Sequence, residues 1–370
     1  MLGTFGVSTS AQMQAWHAAG GTAIVVPVVW ARAQSVAYGP VSLQSAGNDG
    51  DDVLTEIQDA AAAGLSVYLE LDLQYPPAWV SDAVPALVNQ AGAQYVGGPL
   101  SSGDNMRDWI WSATGRAAVA SFVQGAIAAL RPALPEVAGI RAGGGVYGEL
   151  QFPYDGPAVD DQPSYWGYGA AAQTGVGLAA GEAATPLPGY VPGAGSKSQD
   201  AEWAQWYTGS LAEWIHWYAL TLRSSGWHGP IYVLHPSFGM RANFAVSSAA
   251  YAQQLAQGTN PAVMMDAYAK IPGVYPWCTW ADDAEPYWQT GDSVDSDMAA
   301  WRKLLTLAQA HGLAAHIMGE NTGGGGKPAI ARMMSGALAA GYAGVFYLDY
   351  ATLVQQNLLT YLTSEFNANR

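Results

Sequence analysis

Eight short apolar runs rich in β-branched residues alternate with alanine-rich helical stretches along the 370-residue chain. This alternation is typical of repeated βα units whose strands form a parallel sheet. Eight such units close into a barrel, so we predict an α/β fold, a single (β/α)8 TIM barrel domain that comprises residues 1–370. The predicted strands are residues 2–7, 22–30, 65–73, 137–144, 230–235, 262–268, 314–319 and 342–350.

An open, doubly wound sheet is the alternative architecture. Such a sheet normally carries a glycine-rich phosphate-binding turn after its first strand, and no such turn follows residues 2–7. Two long irregular segments, residues 74–114 and 151–200, follow the third and fourth predicted strands. Loops of that length in a compact domain usually have a function, and in a barrel the loops after the strands form the active face. We therefore interpret both long loops as walls of a substrate cleft.

Charge and cysteine content exclude several classes of partner. The net charge of −15 disfavours a polyanion, so nucleic acid is not an expected partner. The single Cys278 excludes an internal disulfide and a thiolate metal centre, and the six histidines show no metal-binding spacing. We predict no metal and no other cofactor. No run of 18 apolar residues predicts a membrane span, and the sequence leaves the oligomeric state open.

The start of the chain bears on its location. It lacks the basic and apolar regions of a signal peptide, and the first predicted strand begins near Leu2, as in a domain trimmed to its mature form. We expect a secreted protein, with a cytoplasmic location as the alternative.

Carboxyl groups stand at several predicted strand ends. Glu149 follows the fourth strand and Glu320 follows the seventh, each directly after a glycine that leaves room for a bound ring. Glycoside hydrolysis needs two carboxyl groups on either side of the scissile bond. The 15 Trp and 20 Tyr residues suit a carbohydrate partner, because their rings stack and also form hydrogen bonds. We predict that Glu149 and Glu320 are catalytic; the alternative is that either glutamate is a salt-bridged loop residue.

Three local motifs resemble known glycoside hydrolases of clan A. LDLQYPPAWV, residues 71–80, resembles the strand-three turn of family 42 β-galactosidase-like enzymes. GGVYGELQFPYD, residues 144–155, resembles the family 14 β-amylase segment that carries the acid glutamate, and MGENTG, residues 318–323, resembles a GEN segment of β-amylases. The chain departs from clan A at Gly148, where an asparagine is usual, and the motif with the second catalytic glutamate of β-amylases is not found.

The resemblance implies roles for both glutamates. Glu149 would be the general acid/base with a raised pKa, and Glu320 the nucleophile, kept ionised by donors such as Tyr268, Arg32 or Asn321. The clan implies retention with carboxyl groups about 5 to 5.5 Å apart, whereas the β-amylase resemblance implies inversion and a gap of roughly 6.5 to 9.5 Å. We expect retention and an oligo- or polysaccharide substrate. A carbohydrate-binding barrel without catalysis is the alternative from another class.

Further candidate substrate-binding residues lie at the other strand ends and in the long loops. The aromatic and acidic stretch of residues 277–288 is predicted to form a subsite wall; its alternative is an ordinary surface loop or a calcium-chelating loop with Asp282, Asp283 and Glu285. The predicted substrate-binding residues are Arg32, Asp72, Trp79, His235, Asp266, Tyr268, Trp280, Asp282, Trp288, Asn321 and Asp349.

Overall fold

Eight parallel strands form a closed barrel in which each strand pairs with the next one along the chain. The computed structural model describes residues 1–97, 105–153, 163–237, 254–283, 299–321, 323 and 325–370. β8 pairs with β1 and closes the barrel. The predicted (β/α)8 fold is therefore confirmed. The strands are β1 (Leu2–Thr4), β2 (Ala23–Val29), β3 (Ser66–Asp72), β4 (Val137–Ala142), β5 (Ile231–His235), β6 (Val274–Cys278), β7 (Met318–Glu320) and β8 (Gly344–Tyr347).

Helices surround the barrel. The α-helices are α1 (Ser10–Ala18), α2 (Trp30–Ala33), α3 (Val53–Ala62), α4 (Ala78–Ala83), α5 (Ala113–Leu130), α6 (Ala170–Thr174), α7 (Lys197–Ser225), α8 (Pro261–Ala269), α9 (Ala300–Ala310), α10 (Gly326–Met333), α11 (Tyr350–Gln355) and α12 (Leu359–Asn369). By length and composition α5 is apolar enough to cross a membrane, but it packs against α7 and half of it is buried inside the protein. It has the features of a helix that covers a barrel core.

The sixth predicted strand is wrong, because residues 262–268 belong to helix α8. The side-chain Oδ1 of Asn260 accepts hydrogen bonds from the backbone N–H groups of Ala262 at 3.1 Å and Val263 at 3.4 Å, and Pro261 occupies the first turn. An Asn cap followed by Pro starts a helix strongly, and this local signal outweighs the apolar run that suggested a strand. The sixth strand is β6, which follows α8 and pairs with β5 and β7.

Aromatic rings fill the inside of the barrel. Tyr68 on β3 contacts Tyr232, Trp277 and Phe346 with ring centroids 5.5, 5.8 and 5.4 Å away. These residues come from four strands, so they point to the barrel axis and form an apolar floor. Side chains two residues further along a strand point the same way but lie nearer its C-terminal end. Glu70, two residues beyond Tyr68, therefore lies above this floor.

Candidate active site

Glu149 is carried by a tightly folded loop after β4. A side chain on Gly143 or Gly145 would collide with the backbone of residues 148–151, so both positions require glycine. The indole N–H of Trp214 donates to the carbonyl oxygen of Gly143 at 2.8 Å. The indole N–H of Trp109 donates to the carbonyl oxygen of Gly144 at 2.9 Å. Two buried tryptophans thus fix the backbone that leads to Glu149.

The Glu149 side chain is half-buried at the rim of the barrel. The amide Nε2 of Gln151 donates a hydrogen bond to Oε2 of Glu149, and Gln151 itself is fully buried. The N–H of Leu150 donates to the carbonyl oxygen of Leu234 at 2.8 Å, which ties this loop to β5. Glu149 therefore has a fixed backbone and an oriented carboxylate.

Glu320 ends β7 and is held by two donors. Its Oε2 accepts hydrogen bonds from Nη2 of Arg141 at 2.6 Å and from the indole N–H of Trp277 at 2.8 Å. Nη1 of Arg141 forms an ion pair with Glu70 on β3. The Arg141 guanidinium lies over the rings of Phe5 at 4.5 Å and Trp277 at 4.6 Å. One buried cation therefore connects two carboxylates from opposite parts of the barrel.

Burial gives Glu320 unusual acid–base properties. Burial raises the pKa of Glu320 to about 7; Arg141 and the hydrogen bond from Trp277 act in the opposite direction, and the negative charge of Glu70 adds to the rise. Removal from water disfavours a carboxylate, whereas a neighbouring cation favours it. Glu320 can therefore change its charge near neutral pH.

The backbone beside Glu149 brings the two glutamates to the same face of the barrel. Gly148 has a φ of +74°, and a Cβ placed there would lie 2.6 Å from Oε1 of Glu70. Glu70 is bound to Arg141, and Arg141 is bound to Glu320. Gly148, the residue before Glu149, thus lies against the ion-paired group that holds Glu320, at the C-terminal mouth of the barrel, where active sites of this fold occur.

A cavity of about 530 Å³ opens at this mouth, next to β2 and β3. Asp72 ends β3 and is buried there, and burial raises the pKa of Asp72 well above its ordinary value. Arg32 lies on the short helix α2 at the same cavity and is exposed. The cavity falls within the size range of small-ligand sites. Its lining residues are Pro27, Val29, Ala31, Arg32, Asn48, Asp49, Asp72, Tyr75 and Pro76.

Asp282, Asn321 and Asp349 lie near the ends of β6, β7 and β8. Burial raises the pKa of Tyr347, and the negative charges of Asp282 and Asp349 add to this rise. Oδ1 of Asn321 accepts the N–H of Leu348 at 2.6 Å. Asp349 also caps helix α11. Asp282 and Asn321 are buried and the side chain of Asp349 is used in the helix cap, so a role of these three residues in substrate binding stays a prediction.

His235, Tyr268 and Asp266 do not lie at the mouth, which corrects three predicted substrate contacts. Nδ1 of His235 is 3.1 Å from the hydroxyl oxygen of Tyr268, and both side chains are fully buried. Burial lowers the pKa of His235 to about 3, so the ring is neutral. Tyr232 points to the barrel axis, so His235 three residues later points outward to the helices. Asp266 is exposed on α8 and pairs with Lys270.

The two predicted tryptophans with described structure are partly packed. Trp79 is half-buried; its indole N–H donates to the carbonyl oxygen of Gln34 at 2.9 Å, and the exposed Tyr38 lies 5.1 Å from its ring. Trp280 is half-buried against the core just after β6. Trp288 and Glu285 lie outside the described residues. The subsite role of these residues stays a prediction.

Sequence reasoning missed the residues that hold the two glutamates. Arg141 and Trp277 bind Glu320 instead of the expected Tyr268, Arg32 or Asn321, and Gln151 binds Glu149. One signal was present, because Arg141 is a charged residue within an apolar strand run. Charged residues are seldom fully buried without a partner, so a partner in the barrel could have been inferred.

Comparisons with known proteins place the fold. No protein-family model and no curated protein matches the sequence. The catalytic domain of β-amylase from Paenibacillus polymyxa is similar in structure with a TM-score of 0.74 and 13% identity, over 100% of this chain and 98% of that one. The chain shares its fold. The glycoside hydrolase domain of PgaB (BpsB) from Bordetella bronchiseptica has a TM-score of 0.58 and 11% identity, over 96% and 93% of the two chains.

A β-galactosidase from Marinomonas ef1 is also similar, with a TM-score of 0.57 and 12% identity over 94% of this chain. The match covers 54% of the β-galactosidase, so this chain spans about half its length. The resemblance to clan A barrels that the motifs indicated is thus confirmed for the fold.

Proposed function

We propose that the protein is a glycoside hydrolase that cleaves an oligo- or polysaccharide with Glu149 and Glu320. The observation that carries this proposal is that Gly148, the residue before Glu149, lies against Glu70, and that Arg141 joins Glu70 to Glu320 at the barrel mouth. Two carboxyl groups facing one groove are the requirement for hydrolysing a glycosidic bond. Support also comes from the fold, which is found in a β-amylase, a β-galactosidase and the glycoside hydrolase domain of PgaB.

The contacts of each carboxylate suggest its role. Arg141 and Trp277 both donate to Oε2 of Glu320, so Oε1 is the oxygen available to react. Fixed donors on the other oxygen hold the carboxylate in one orientation, as a nucleophile requires. Glu149 is more exposed and is oriented by Gln151, which suits a group that exchanges protons with the leaving oxygen and with water.

The proposed reaction proceeds in two steps with retention. Oε1 of Glu320 attacks the anomeric carbon while the Glu149 carboxylic acid protonates the departing glycosidic oxygen. A glycosyl ester on Glu320 and a Glu149 carboxylate result. Glu149 then takes a proton from water, whose oxygen displaces Glu320 from the anomeric carbon. Asp72 and Arg32, which line the mouth cavity, would bind sugar hydroxyl groups. The similarity to a β-amylase catalytic domain favours inversion as the second candidate, with Glu320 activating water.

A substrate screen tests the proposal. The purified protein would be incubated with aryl glycosides of both anomeric configurations and with neutral polysaccharides, beside the double variant Glu149→Gln/Glu320→Gln as the control. We expect the wild-type protein alone to release product from at least one substrate. Proton NMR of the first product gives its anomeric form: the configuration of the substrate supports retention, and the opposite anomer would assign inversion. Equal activity of both proteins, or none in either, would contradict the proposal.

Glu70 offers a test through pH. A nucleophilic Glu320 must be ionised, and its pKa is raised to about 7, so activity should fall as the pH drops below about 7. The charge of Glu70 contributes to that raised pKa. Replacing Glu70 with glutamine should therefore move the acidic limb of the kcat/KM profile about one pH unit lower. Glu136→Gln, at an exposed carboxylate before β4, is the control and should leave the limb in place. An unshifted limb in Glu70→Gln would speak against Glu320 as the titrating group.

A further inference from the structure

A stack of aromatic rings runs from the loop after β4 to the outside of the barrel. Phe152 and Trp111 lie 5.1 Å apart with their planes at 3°, and Trp111 and Trp206 lie 5.4 Å apart at 23°. The indole N–H of Trp111 donates to Oγ of Ser210 at 2.9 Å, and that of Trp206 donates to the carbonyl oxygen of Ala183 at 2.8 Å. Trp206 is thus the outermost ring of the stack and is held in one orientation.

Trp206 lines a cavity of about 470 Å³ on the flank of the barrel. We call it the flank cavity; it lies between residues 181–186 and helix α7. Its volume is close to that of the mouth cavity, and no described residue lines both. The polar side chains that line the flank cavity are Glu182, Glu202, Gln205, Ser210 and Glu213.

One wall of the flank cavity is a buried, oriented carboxyl group. The Glu182 side chain is 3% exposed and is ion-paired with Arg116, which is 5% exposed. The Arg116 guanidinium in turn lies 4.9 Å from the centre of the Trp217 ring. Burial raises the pKa of Glu182 to about 8, although Arg116 opposes this. A carboxyl group fixed in this way beside a fixed aromatic ring requires no rearrangement before it binds a ligand.

We propose that the flank cavity is a second glycan-binding site, separate from the barrel mouth, for a glycan without acidic groups. An indole ring packs against the C–H face of a sugar, and carboxyl and amide groups bind its hydroxyl groups. Glu202 and Glu213 disfavour uronic or sulfated sugars, because like charges repel at a contact surface. The choice of a glycan as the ligand rests on the proposed function. A polymer bound here would stay close to the mouth while its chain is cleaved.

Affinity electrophoresis tests the flank site without turnover. The Glu149→Gln protein, alone and with Trp206→Ala, would be run in native gels containing soluble starch, β-glucan or arabinoxylan, with polygalacturonate as the anionic comparison. We expect at least one neutral polymer to retard the parent protein and Trp206→Ala to weaken the apparent affinity about tenfold. Leu220→Ala, at an exposed residue of α7 outside the cavity, is the matched control and should behave as the parent.

A further variant separates the possible outcomes. Glu213→Ala removes a polar side chain of the flank cavity and leaves the ring stack in place. It should also weaken retardation, and it therefore tests the site independently if Trp206→Ala does not fold. Unchanged retardation in both variants, or none by any neutral polymer, would overturn the flank site, and equal retardation by polygalacturonate would overturn its ligand class. Failure of the proposed function looks different, because it would appear as missing hydrolysis in the substrate screen, whatever happens in the gels.

Discussion

Replacing Glu320 with glutamine should lower kcat/KM by at least about 10⁴-fold while the protein still folds. The amide has nearly the same shape as the carboxylate but is not a nucleophile at the anomeric carbon. Its oxygen still accepts a hydrogen bond from Trp277, so the pocket keeps one of its contacts. Glu149→Gln should cause a loss that depends on the leaving group, because a good leaving group needs no proton. The defect should be larger on an alkyl glycoside than on a dinitrophenyl glycoside.

Steady-state kinetics on a substrate from the screen, with circular dichroism and thermal unfolding as folding checks, measures both effects. Glu365→Gln, in helix α12, is the matched control and should be as active as the wild-type protein. With Glu149→Gln, azide should restore turnover and yield a glycosyl azide, since it needs no general base to attack a glycosyl ester. Wild-type rates in either glutamine variant would rule out that residue as a reacting group.

Among the single substitutions considered above, removing the charge of Arg141 should produce the largest loss of unfolding free energy. Arg141→Met leaves the buried carboxylate of Glu320 and the half-buried carboxylate of Glu70 without their shared cation. Loss of one partner from a buried ion pair typically costs about 3–5 kcal/mol of unfolding free energy, because the remaining charge is uncompensated. Urea denaturation at constant pH measures this change. The loss should be smaller at pH 5 than at pH 8, since carboxyl groups that lose their cation are more readily protonated.

The triple variant Glu70→Gln/Arg141→Met/Glu320→Gln is the control for this prediction. It removes all three charges together, so neither Glu70 nor Glu320 is left as a carboxylate without its cation, and most of the lost stability should return. If Arg141→Met and the triple variant are equally destabilised, packing of the guanidinium between Phe5 and Trp277 matters more than its charge.

The barrel could be predicted because strand and helix repeat along the chain, and each βα unit carries its own local signal. The prediction of the sixth strand was wrong for a local reason. An apolar run such as residues 262–268 fits a buried helix as well as a strand, and the cap at Asn260 and Pro261 was the deciding signal. The true strand contains Pro276, which made it look like part of a loop.

The placement of candidate residues at the mouth was predictable where it depends on position along a strand and unpredictable where it depends on contacts across the barrel. Glu149 and Glu320 could be chosen because strand ends face the active side of this fold. The partnership of Arg141 with Glu70 and Glu320 joins three strands that are far apart in sequence, and a single sequence does not show which side chains meet. The outward orientation of the His235 side chain could have been inferred from the sequence, since alternate residues of β5 face opposite sides of the sheet.

The glycines of the loop before Glu149 limit how a family of such proteins could diversify. Gly143 and Gly145 have no space for any other side chain. Random mutagenesis for new substrates would therefore yield mostly unfolded protein at these positions. Libraries would be better directed at Arg32, which is exposed and lines the mouth cavity from the short helix α2, so that its side chain can be exchanged while the loop that carries Glu149 stays intact.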